Sequence, residues 1–333
     1  MLTKSFLSHS DNLDVLLING HRKCGTTMLS LLFDSHPNVI SIPSDLNALY
    51  AFFPHWCSTK NYSSKEKLAR FSRVTIDEWA KIGAISSYQH DIGKNCIQQL
   101  ADTIIEAQSP AHVFDSCIHI IRAISNNCSS LVVCKETSSE IYQKIIASES
   151  CFRVKTLTLF RDPRDNLAAL KKGSESYYEP MGDSWMQTYL SAVIRLKLSH
   201  YYGYQISKGF ANHCYLRYED LCSNPETIMQ NLSHWLDLEM LPVLLSPTVN
   251  GRPFGGNSFG PEAQKPSGSI QGTNIGMWYE ILSEDESSFL CATLSSLFDD
   301  LGYRYTKNEK NVDATSQMYS KISSNLFYSD RFF

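Results

Sequence analysis

Short apolar runs alternate with helical patterns along this chain. The runs at Val15 to Ile18 and inside "SSLVVCKET" (Ser129 to Thr137) contain no alternating polar positions, as in strands buried on both faces. Helical patterns occupy 28–33, 64–82, 94–108 and 184–208, and strand, turn and helix follow one another in "VKTLTLFRDPRDNLAALKKG" and "CYLRYEDLCSNPETIMQNLSHWLDL". This alternation predicts an α/β fold, a three-layer α/β/α arrangement with a central parallel sheet.

The 333 residues are predicted to form a single domain with two irregular parts. Residues 44–110 are mixed and rich in aromatic side chains, and we expect them to form a mostly helical insertion or cap. Residues 251–272 are rich in Gly, Pro and Ser, and loops of this length are uncommon unless they are functional or disordered. His112 to Phe114 predicts a short strand, and Ser283 with Glu286 predicts a capping box at the start of a helix.

The segment "HRKCGTT" joins the first predicted strand to the first predicted helix. A helix N-terminus offers unpaired N–H groups and the positive end of the macrodipole to an anion. Gly25 lets the backbone approach such an anion, Arg22 and Lys23 supply charge, and Thr26 and Thr27 supply hydroxyls. The sequence therefore predicts a strand–loop–helix phosphate site. It departs from the G-x-x-x-x-G-K-[ST] pattern of nucleotide phosphohydrolases, and an ordinary turn is the alternative for this stretch alone.

Composition excludes several classes of protein. Charged residues make up 19% of the chain and its formal net charge is -4, which argues against a protein that coats nucleic acid. The ten cysteines form no C-x-x-C pair and show no zinc-ligand spacing, so we expect no metal site. The N-terminus has no long apolar region, and no run reaches the ~18 residues of a membrane span. We expect a cytoplasmic protein with reduced thiols.

Polar residues stand where several predicted strands end. They are Lys23, Lys135, Glu136, Arg161 and Arg217. Ligands of parallel sheets bind beyond the carboxyl ends of the strands, so these side chains are expected to converge on one crevice. Structural salt bridges are the alternative, above all for Arg217, which we expect to pair with Glu219 or Asp220. Trp278 is expected to pack in the core.

Four motifs carry a resemblance to a known family. They are "RKCGTTML", "LTLFRDPRDNLAAL", "YLRYEDLCSNPETIMQNLSHWLDL" and "IGMWYEILSEDESSFLCATLSSLFDDLGY". In this order they resemble the sulfotransferases that use 3'-phosphoadenosine 5'-phosphosulfate (PAPS). The resemblance covers the first forty residues and most of 130–305.

The resemblance implies transfer of a sulfuryl group from PAPS to a hydroxyl or amine, without a metal. Adenosine 3',5'-bisphosphate is then the product. Lys23 matches the lysine that stabilises the leaving phosphate, and Arg161 matches the arginine that binds the 3'-phosphate. The 5'-phosphate loop corresponds to Arg22, Lys23, Cys24, Gly25, Thr26, Thr27 and Met28. The implied acceptor is a small molecule or sugar, with secondary metabolites included.

The chain departs from the family at the 3'-phosphate. A serine usually follows the arginine by eight positions, but this chain has Ala169 there. Losing one hydroxyl donor costs about 1–3 kcal/mol if nothing replaces it. Lys171, Lys172 or Ser174 are candidate substitutes, and Arg252, Ser258 and Lys265 of the long loop are further candidates for a phosphate. Solvated surface charges are the alternative for the lysines.

The catalytic base is the second departure. Family members often carry Lys-Thr-His after this strand, with the histidine taking the acceptor's proton. This chain has Lys135, Glu136 and Thr137, so Glu136 is the candidate base and Lys135 a candidate catalytic cation. Glu136 paired with a lysine is the structural alternative, and His21 and His119 are alternative bases.

Two other functions compete with a sulfotransferase. One is a P-loop kinase of small molecules, although no lysine directly follows the second glycine of the loop. The other is a non-catalytic relative that keeps the nucleotide pocket. The sequence leaves open the acceptor, the choice between O- and N-sulfation, and the oligomeric state.

Overall fold

A parallel sheet forms the centre of the fold. The computed structural model describes residues 13–53, 62–125, 129–174, 184–254, 268–270 and 272–305. Within them, five strands pair in the order β2-β3-β1-β4-β5, all in parallel. Their bounds are β1 Asp14–Gly20, β2 Val39–Asp45, β3 Leu131–Lys135, β4 Arg153–Phe160 and β5 His213–Arg217.

Helices connect the strands and cover the sheet. They are α1 Thr26–Leu31, α2 Ala48–Phe52, α3 Ser64–Ser72, α4 Glu78–Lys81, α5 Ser87–Glu106, α6 Pro110–Ser125, α7 Glu140–Glu149, α8 Pro163–Lys172, α9 Trp185–His200, α10 Tyr218–Ser223, α11 Pro225–Leu236, α12 Trp278–Ile281, α13 Glu284–Thr293 and α14 Ser295–Leu301. A small hairpin pairs Thr248–Val249 with Arg252–Pro253.

Alternate side chains of a buried strand pack into two different apolar cores, one on each face of the sheet. In β1, Val15 and Leu17 pack with α2 to α7, whereas Leu16 and Ile18 pack with α1 and α11. A third core joins α8 and α9 to the C-terminal helices. Successive side chains of a strand point to opposite faces, so an uninterrupted apolar run is what a sheet covered on both faces requires. The predicted α/β/α fold is confirmed.

The chain between β2 and β3 is helical in the parts that the structure describes. Phe71 and Trp79 from this segment lie in the same core as β1 and β3, so these helices are one of the layers on the sheet. The predicted strand at His112 to Phe114 is wrong, because these residues lie in α6. Their apolar neighbours continue at helical spacing to Ile124, and Pro110 stands in the first turn, where a missing N–H costs nothing.

Sequence reasoning missed the edge strand β2. Its sequence, "VISIPSD", includes a proline, and proline within sheets is confined to edge strands, strand starts and bulges. Its pairing with β3 shifts register between Ser41 and Asp45. The strand ends at Asp45, so its carboxylate lies at the end of the sheet where the carboxyl ends of the parallel strands meet.

Candidate functional site

The loop after β1 has a strained backbone. Lys23 has φ 67° and Gly25 has φ 101°, both in the left-handed region. A side chain at Gly25 would also put its Cβ 2.6 Å from the ring of Tyr218. Glycine is therefore required at position 25, whereas Lys23 holds a conformation that costs an ordinary residue about 1–2 kcal/mol. Such strain typically persists at functional sites.

Arg161 lies against this loop. Its Nη1 donates to the carbonyl oxygen of Lys23 at 3.0 Å, and its Nη2 donates to the carbonyl of Asn274 at 2.6 Å. Its guanidinium lies 4.9 Å from the ring centroid of Tyr218. Nε of Arg161 is buried and has no hydrogen-bond partner within the described chain. The structure thus brings together the two predicted phosphate-binding cations, Lys23 and Arg161.

Burial makes Lys23 unusually acidic for a lysine. Desolvation, with a smaller contribution from the Arg22 guanidinium, lowers its pKa to about 8. Most molecules still carry the ammonium at neutral pH, so Lys23 can stabilise an anion there. Desolvation also strengthens any interaction that this charge makes.

The other loop residues differ in their placement. The Cys24 thiol lies in the core, where burial raises its pKa to about 12, so this side chain does not face a ligand. Its backbone N–H donates to the carbonyl of His21 at 3.2 Å. Thr26 is buried, and Met28 packs partly against the core shared with α1. A role for Cys24 in binding is therefore restricted to its backbone.

Lys135 is held by an aspartate that the sequence analysis did not single out. Its Nζ donates to Asp45 Oδ2 at 2.6 Å. Thr137 donates to Asp45 Oδ1 twice, from its backbone N–H at 2.8 Å and from its hydroxyl at 2.6 Å. The charge of the predicted catalytic cation Lys135 is thus balanced by an ion pair in which Lys135 is buried and Asp45 is partly exposed. The β-branched residues of "VISI" (39–42), which alternate with Ser41, are the sequence signal that could have predicted a strand here. Asp45 would then have been placed near the end of that strand.

Glu136 faces a helix terminus. The backbone N–H groups of Ala48 and Tyr50, in the first turn of α2, donate to its carboxyl group. Burial, followed by the neighbouring Asp45 charge, raises the pKa of Glu136 to about 8. The expected structural alternative, Glu136 paired with a lysine, does not occur in the described chain, because Lys135 is bound to Asp45. The carboxyl group accepts from amides instead, and its Oε2 is buried without a hydrogen-bond partner among the described residues.

His21 and His119, the alternative bases, are both buried, and burial lowers the pKa of each ring. Nε2 of each ring is buried without a hydrogen-bond partner among the described residues. Nδ1 of His21 lies 2.8 Å from Asn166 Oδ1 and 3.0 Å from the Arg22 carbonyl, both acceptors, so Nδ1 carries the proton. Burial and the Arg22 and Arg195 charges lower the pKa of His21 to about 3. His119 packs on Phe152, the residue before β4 begins. It therefore lies near the amino ends of the strands, whereas Lys23 and Arg161 lie at their carboxyl ends.

Lys171 is paired with a carboxylate from a distant helix. Its Nζ donates to both carboxylate oxygens of Glu286, at 3.0 and 2.7 Å. Glu286 also closes the predicted capping box with Ser283 and accepts from Trp185 Nε1. Lys171 therefore anchors α13 on α8. Its expected role as a ligand of the nucleotide stays a prediction, and it would require this ion pair to open.

Arg252 is likewise placed elsewhere. It is exposed in a hairpin that is fixed to Asp34, which accepts hydrogen bonds from Thr248 and Gly251 beyond the far end of α1. No hydrogen bond or ion pair joins the Arg252 side chain to the loop residues 21–27 within the described chain, and its expected role at a phosphate stays a prediction. The candidates Ser258 and Lys265, and the aromatic Trp56 of the insertion, lie outside the described residues.

The remaining strand-end residues support the fold. Arg217 donates to both carboxylate oxygens of Asp220, at 2.8 and 2.6 Å, as the sequence analysis expected. Trp278 packs beside the third core with the Arg164 guanidinium 4.3 Å from its ring, which agrees with a structural role. Asp165 accepts from the backbone of Gly276 and Trp278, at 2.7 and 3.1 Å, and so fixes the segment that contacts Arg161.

Metal sites and membrane spans are both lacking among the described residues. Across the described ranges, no three His, Cys, Asp or Glu side chains are grouped so that they could hold a metal ion. None of the helices that the structure describes combines the length and apolarity of a membrane span.

A known protein family matches most of the chain. A model of the sulfotransferase family matches residues 16–242, which include the loop, Asp45, Lys135 and Arg161. The chain therefore belongs to the sulfotransferase family. No curated protein sequence matches it.

Two solved structures share the fold. The sulfotransferase domain of the Synechococcus PCC 7002 olefin synthase superposes with a TM-score of 0.56 at 16% identity, over 90% of this chain and 98% of that one. The sulfotransferase domain from the curacin biosynthetic pathway gives a TM-score of 0.53 at 16% identity, over 85% and 98%.

Proposed function

We propose that this protein transfers a sulfuryl group from PAPS to a small-molecule or sugar acceptor. The observation that carries this proposal is the hydrogen bond from Arg161 to the Lys23 carbonyl. This bond ties the Arg161 side chain to the backbone of Lys23, so the two cationic residues lie together after the neighbouring strands β1 and β4. Parallel sheets bind ligands beyond these carboxyl ends of their strands. One cation serves each phosphate group of the donor.

The residues present fit such a donor. Gly25 and Lys23 give the loop two left-handed backbone positions, and among the described residues no side chain caps the N-terminus of α1. Arg161 still has its buried Nε–H to offer, and a guanidinium suits a phosphate because it donates parallel bonds. Lys23, Gly25, Thr26 and Thr27 would hold the 5'-phosphate, and Arg161 the 3'-phosphate.

Lys23 has the central chemical role in this proposal. Bound PAPS supplies an activated sulfuryl group, whose departure leaves negative charge on the 5'-phosphate. A preorganised cation that meets this developing charge lowers the barrier more than it stabilises the ground state. The strained backbone of Lys23 is the structural cost of that preorganisation.

The acceptor is proposed at the level of class. We infer a hydroxyl or amine of a small biosynthetic product. The names of the two similar structures support this class, since both domains belong to biosynthetic systems. A net charge of -4 disfavours a highly sulfated polyanion as acceptor.

Calorimetric titration without added metal tests the donor site. We expect adenosine 3',5'-bisphosphate to bind at micromolar concentrations and adenosine 5'-monophosphate much more weakly, despite Ala169. Equal affinity for both would show that no 3'-phosphate site exists. Binding of ATP only with magnesium would favour the kinase alternative. Bisphosphate binding without turnover of labelled PAPS on any acceptor would favour the non-catalytic alternative.

A further inference from the structure

Arg70 of α3 is held between two tyrosine rings. Its guanidinium lies 4.4 Å from the ring centroid of Tyr50 and 5.1 Å from that of Tyr62. Its Nη1 donates to the Tyr62 hydroxyl at 2.9 Å. A guanidinium that stacks on aromatic faces and donates to one of them has little freedom to rotate, so the direction of its other N–H groups is fixed.

No carboxylate of the described chain balances this charge. Arg70 takes part in none of the ion pairs among the described residues. Glu66 lies one turn earlier on the same helix, but its Oε2 accepts from the backbone N–H and the hydroxyl of Ser63, at 2.9 and 2.8 Å, in the capping box of α3. Nε of Arg70 is buried and has no hydrogen-bond partner among the described residues. A buried N–H without an acceptor costs free energy, which a bound anion would recover.

The geometry of the guanidinium selects the kind of ligand. Since Nη1 donates to Tyr62, the edge formed by Nε and Nη2 is the one left for a ligand. This edge can donate two parallel hydrogen bonds, which match the two oxygens of a carboxylate or of a phosphate. Such bonds between charged groups are about twice as strong as bonds between neutral groups. The geometry therefore favours an anionic ligand over a neutral one.

The contacts of Tyr50 place this cation on the acceptor side of the donor site. The backbone N–H of Tyr50 donates to the carboxyl group of Glu136, directly after β3. In the sheet, β3 and β4 flank β1 on opposite sides, and Arg161 follows β4. A donor bound by Lys23 and Arg161 occupies the ends of β1 and β4, so the ends of β3 and β2 are left for the acceptor.

A π-helical turn fixes α3 to the same strand ends. The segment Arg73–Asp77 continues α3 with π-helical geometry. Within it, Thr75 Oγ1 donates to the carbonyl of Leu46 at 2.8 Å, and the carbonyl of Val74 accepts from Asn47 Nδ2 at 2.7 Å. These bonds hold the helix against the corner between β2 and α2. Single π-helical turns are frequent at functional sites, and here the turn positions the cation relative to the sheet.

Resting on the proposed sulfuryl transfer, we propose that Arg70 binds an anionic group of the acceptor and that Tyr50 and Tyr62 position its guanidinium. The acceptor is then a compound with two functional groups. Its hydroxyl or amine receives the sulfuryl group, and its carboxylate or phosphate, away from the reacting atoms, is bound by the Nε–Nη2 edge of Arg70. A single anionic group is recognised locally, so the net charge of -4 does not oppose it.

Three probes with one ring system and one hydroxyl group test the preference for an anion. They are 6-hydroxy-2-naphthoate, 6-hydroxy-2-naphthyl phosphate and the neutral 6-hydroxy-2-naphthamide. Calorimetry measures their affinities with and without saturating adenosine 3',5'-bisphosphate. We expect at least one of the two anions to bind the wild type about tenfold or more tightly than the amide, and the tighter anion identifies the class. Equal affinities for all three probes, or no binding of either anion, would overturn the proposal.

R70M and R73M separate this contact from the general charge of the surface. Methionine can still pack between the two rings but carries no charge. Arg73 is the matched control, because it is exposed three residues further along the chain and its replacement removes the same charge. We expect R70M to lose the anion preference, with affinities for the amide and for the bisphosphate within twofold of wild type, and R73M to keep it. The same loss in R73M, or an equal loss for anions and amide in R70M, would contradict the assignment.

R70K is a second variant that keeps the charge and decides the question if R70M does not fold. An ammonium cannot donate two parallel bonds from a rigid fork, so the anion preference should fall severalfold in R70K. An unchanged preference would show that the guanidinium edge is not the binding group.

Turnover separates this proposal from the function on which it rests. With sulfur-35-labelled PAPS, R70M should raise KM for the preferred anion about tenfold and leave kcat within twofold, as expected for a binding contact away from the reacting atoms. An unchanged KM would overturn the role of Arg70. Failure of the wild type to bind adenosine 3',5'-bisphosphate is a different result: it would refute the proposed function, whereas the anion preference is also measured without nucleotide.

Discussion

The Arg161 guanidinium donates to the carbonyl oxygen of Lys23 at 3.0 Å. The bond fixes the backbone of the residue whose side chain is proposed to meet the leaving phosphate. Both residues follow central strands, and β1 and β4 pair in parallel up to Gly20 and Leu159. The two proposed phosphate-binding residues are thus linked by the pairing of β1 with β4 and by the Arg161 side chain.

Replacement of Lys23 tests the charge at this point. We expect K23A to lower kcat by about 100-fold or more, the scale of one preorganised donor. Because burial lowers the pKa of Lys23 to about 8, wild-type activity should decline above that pH as the ammonium loses its proton. K23R retains its charge at all these pH values, so its residual activity should show no such decline. Unchanged turnover in K23A would remove Lys23 from the mechanism.

G25A tests the fit between the loop and Tyr218. The added Cβ would meet the Tyr218 ring at 2.6 Å, and φ 101° disfavours any side chain. Gly83 is the matched control, since it also has a positive φ, 73°, but open space around a Cβ. We expect G83A to lose about 1 kcal/mol of unfolding free energy, and G25A to lose more together with its bisphosphate affinity. Equal effects in urea unfolding would show that the Tyr218 contact is unimportant.

E136Q tests the buried carboxyl group through stability. The folded pKa of Glu136, about 8, lies above the ordinary glutamate value of 4.5, so between these pH values the native state holds a proton that the unfolded chain has lost. The unfolding free energy should therefore fall as pH rises from about 4.5 to about 8. Glutamine is neutral and still accepts from the α2 amides, so E136Q should show a weaker decline. Urea unfolding at both ends of this range measures the difference, and parallel curves would contradict it.

K171M tests whether Lys171 has a structural role or binds the nucleotide. The ion pair with Glu286 is partly exposed, so its removal should cost at most about 1 kcal/mol of unfolding free energy. Affinity for adenosine 3',5'-bisphosphate should stay within twofold, because the ammonium binds α13 and not the nucleotide. A tenfold loss of affinity with unchanged stability would return Lys171 to the phosphate site.

Local sequence features predicted much of the architecture. Apolar runs identified β1 and β3, and the capping box at Ser283 marked the start of α13. The failures have physical causes. Pro43 interrupted the pattern of β2, and the apolar residues at 112–114 fit a strand or a helix until the longer period is considered. The roles proposed for the site residues remain predictions, since the structure shows their placement only.

The sequence by itself determined the strand–loop–helix that carries Lys23 and the α/β order, because both depend on residues close together in the chain. Only the tertiary structure decided which charges are neutralised. Lys135 meets Asp45 across 90 residues, and Lys171 meets Glu286 across 115. The energy of a charge depends on burial and on partners brought from distant segments, and no local pattern specifies either.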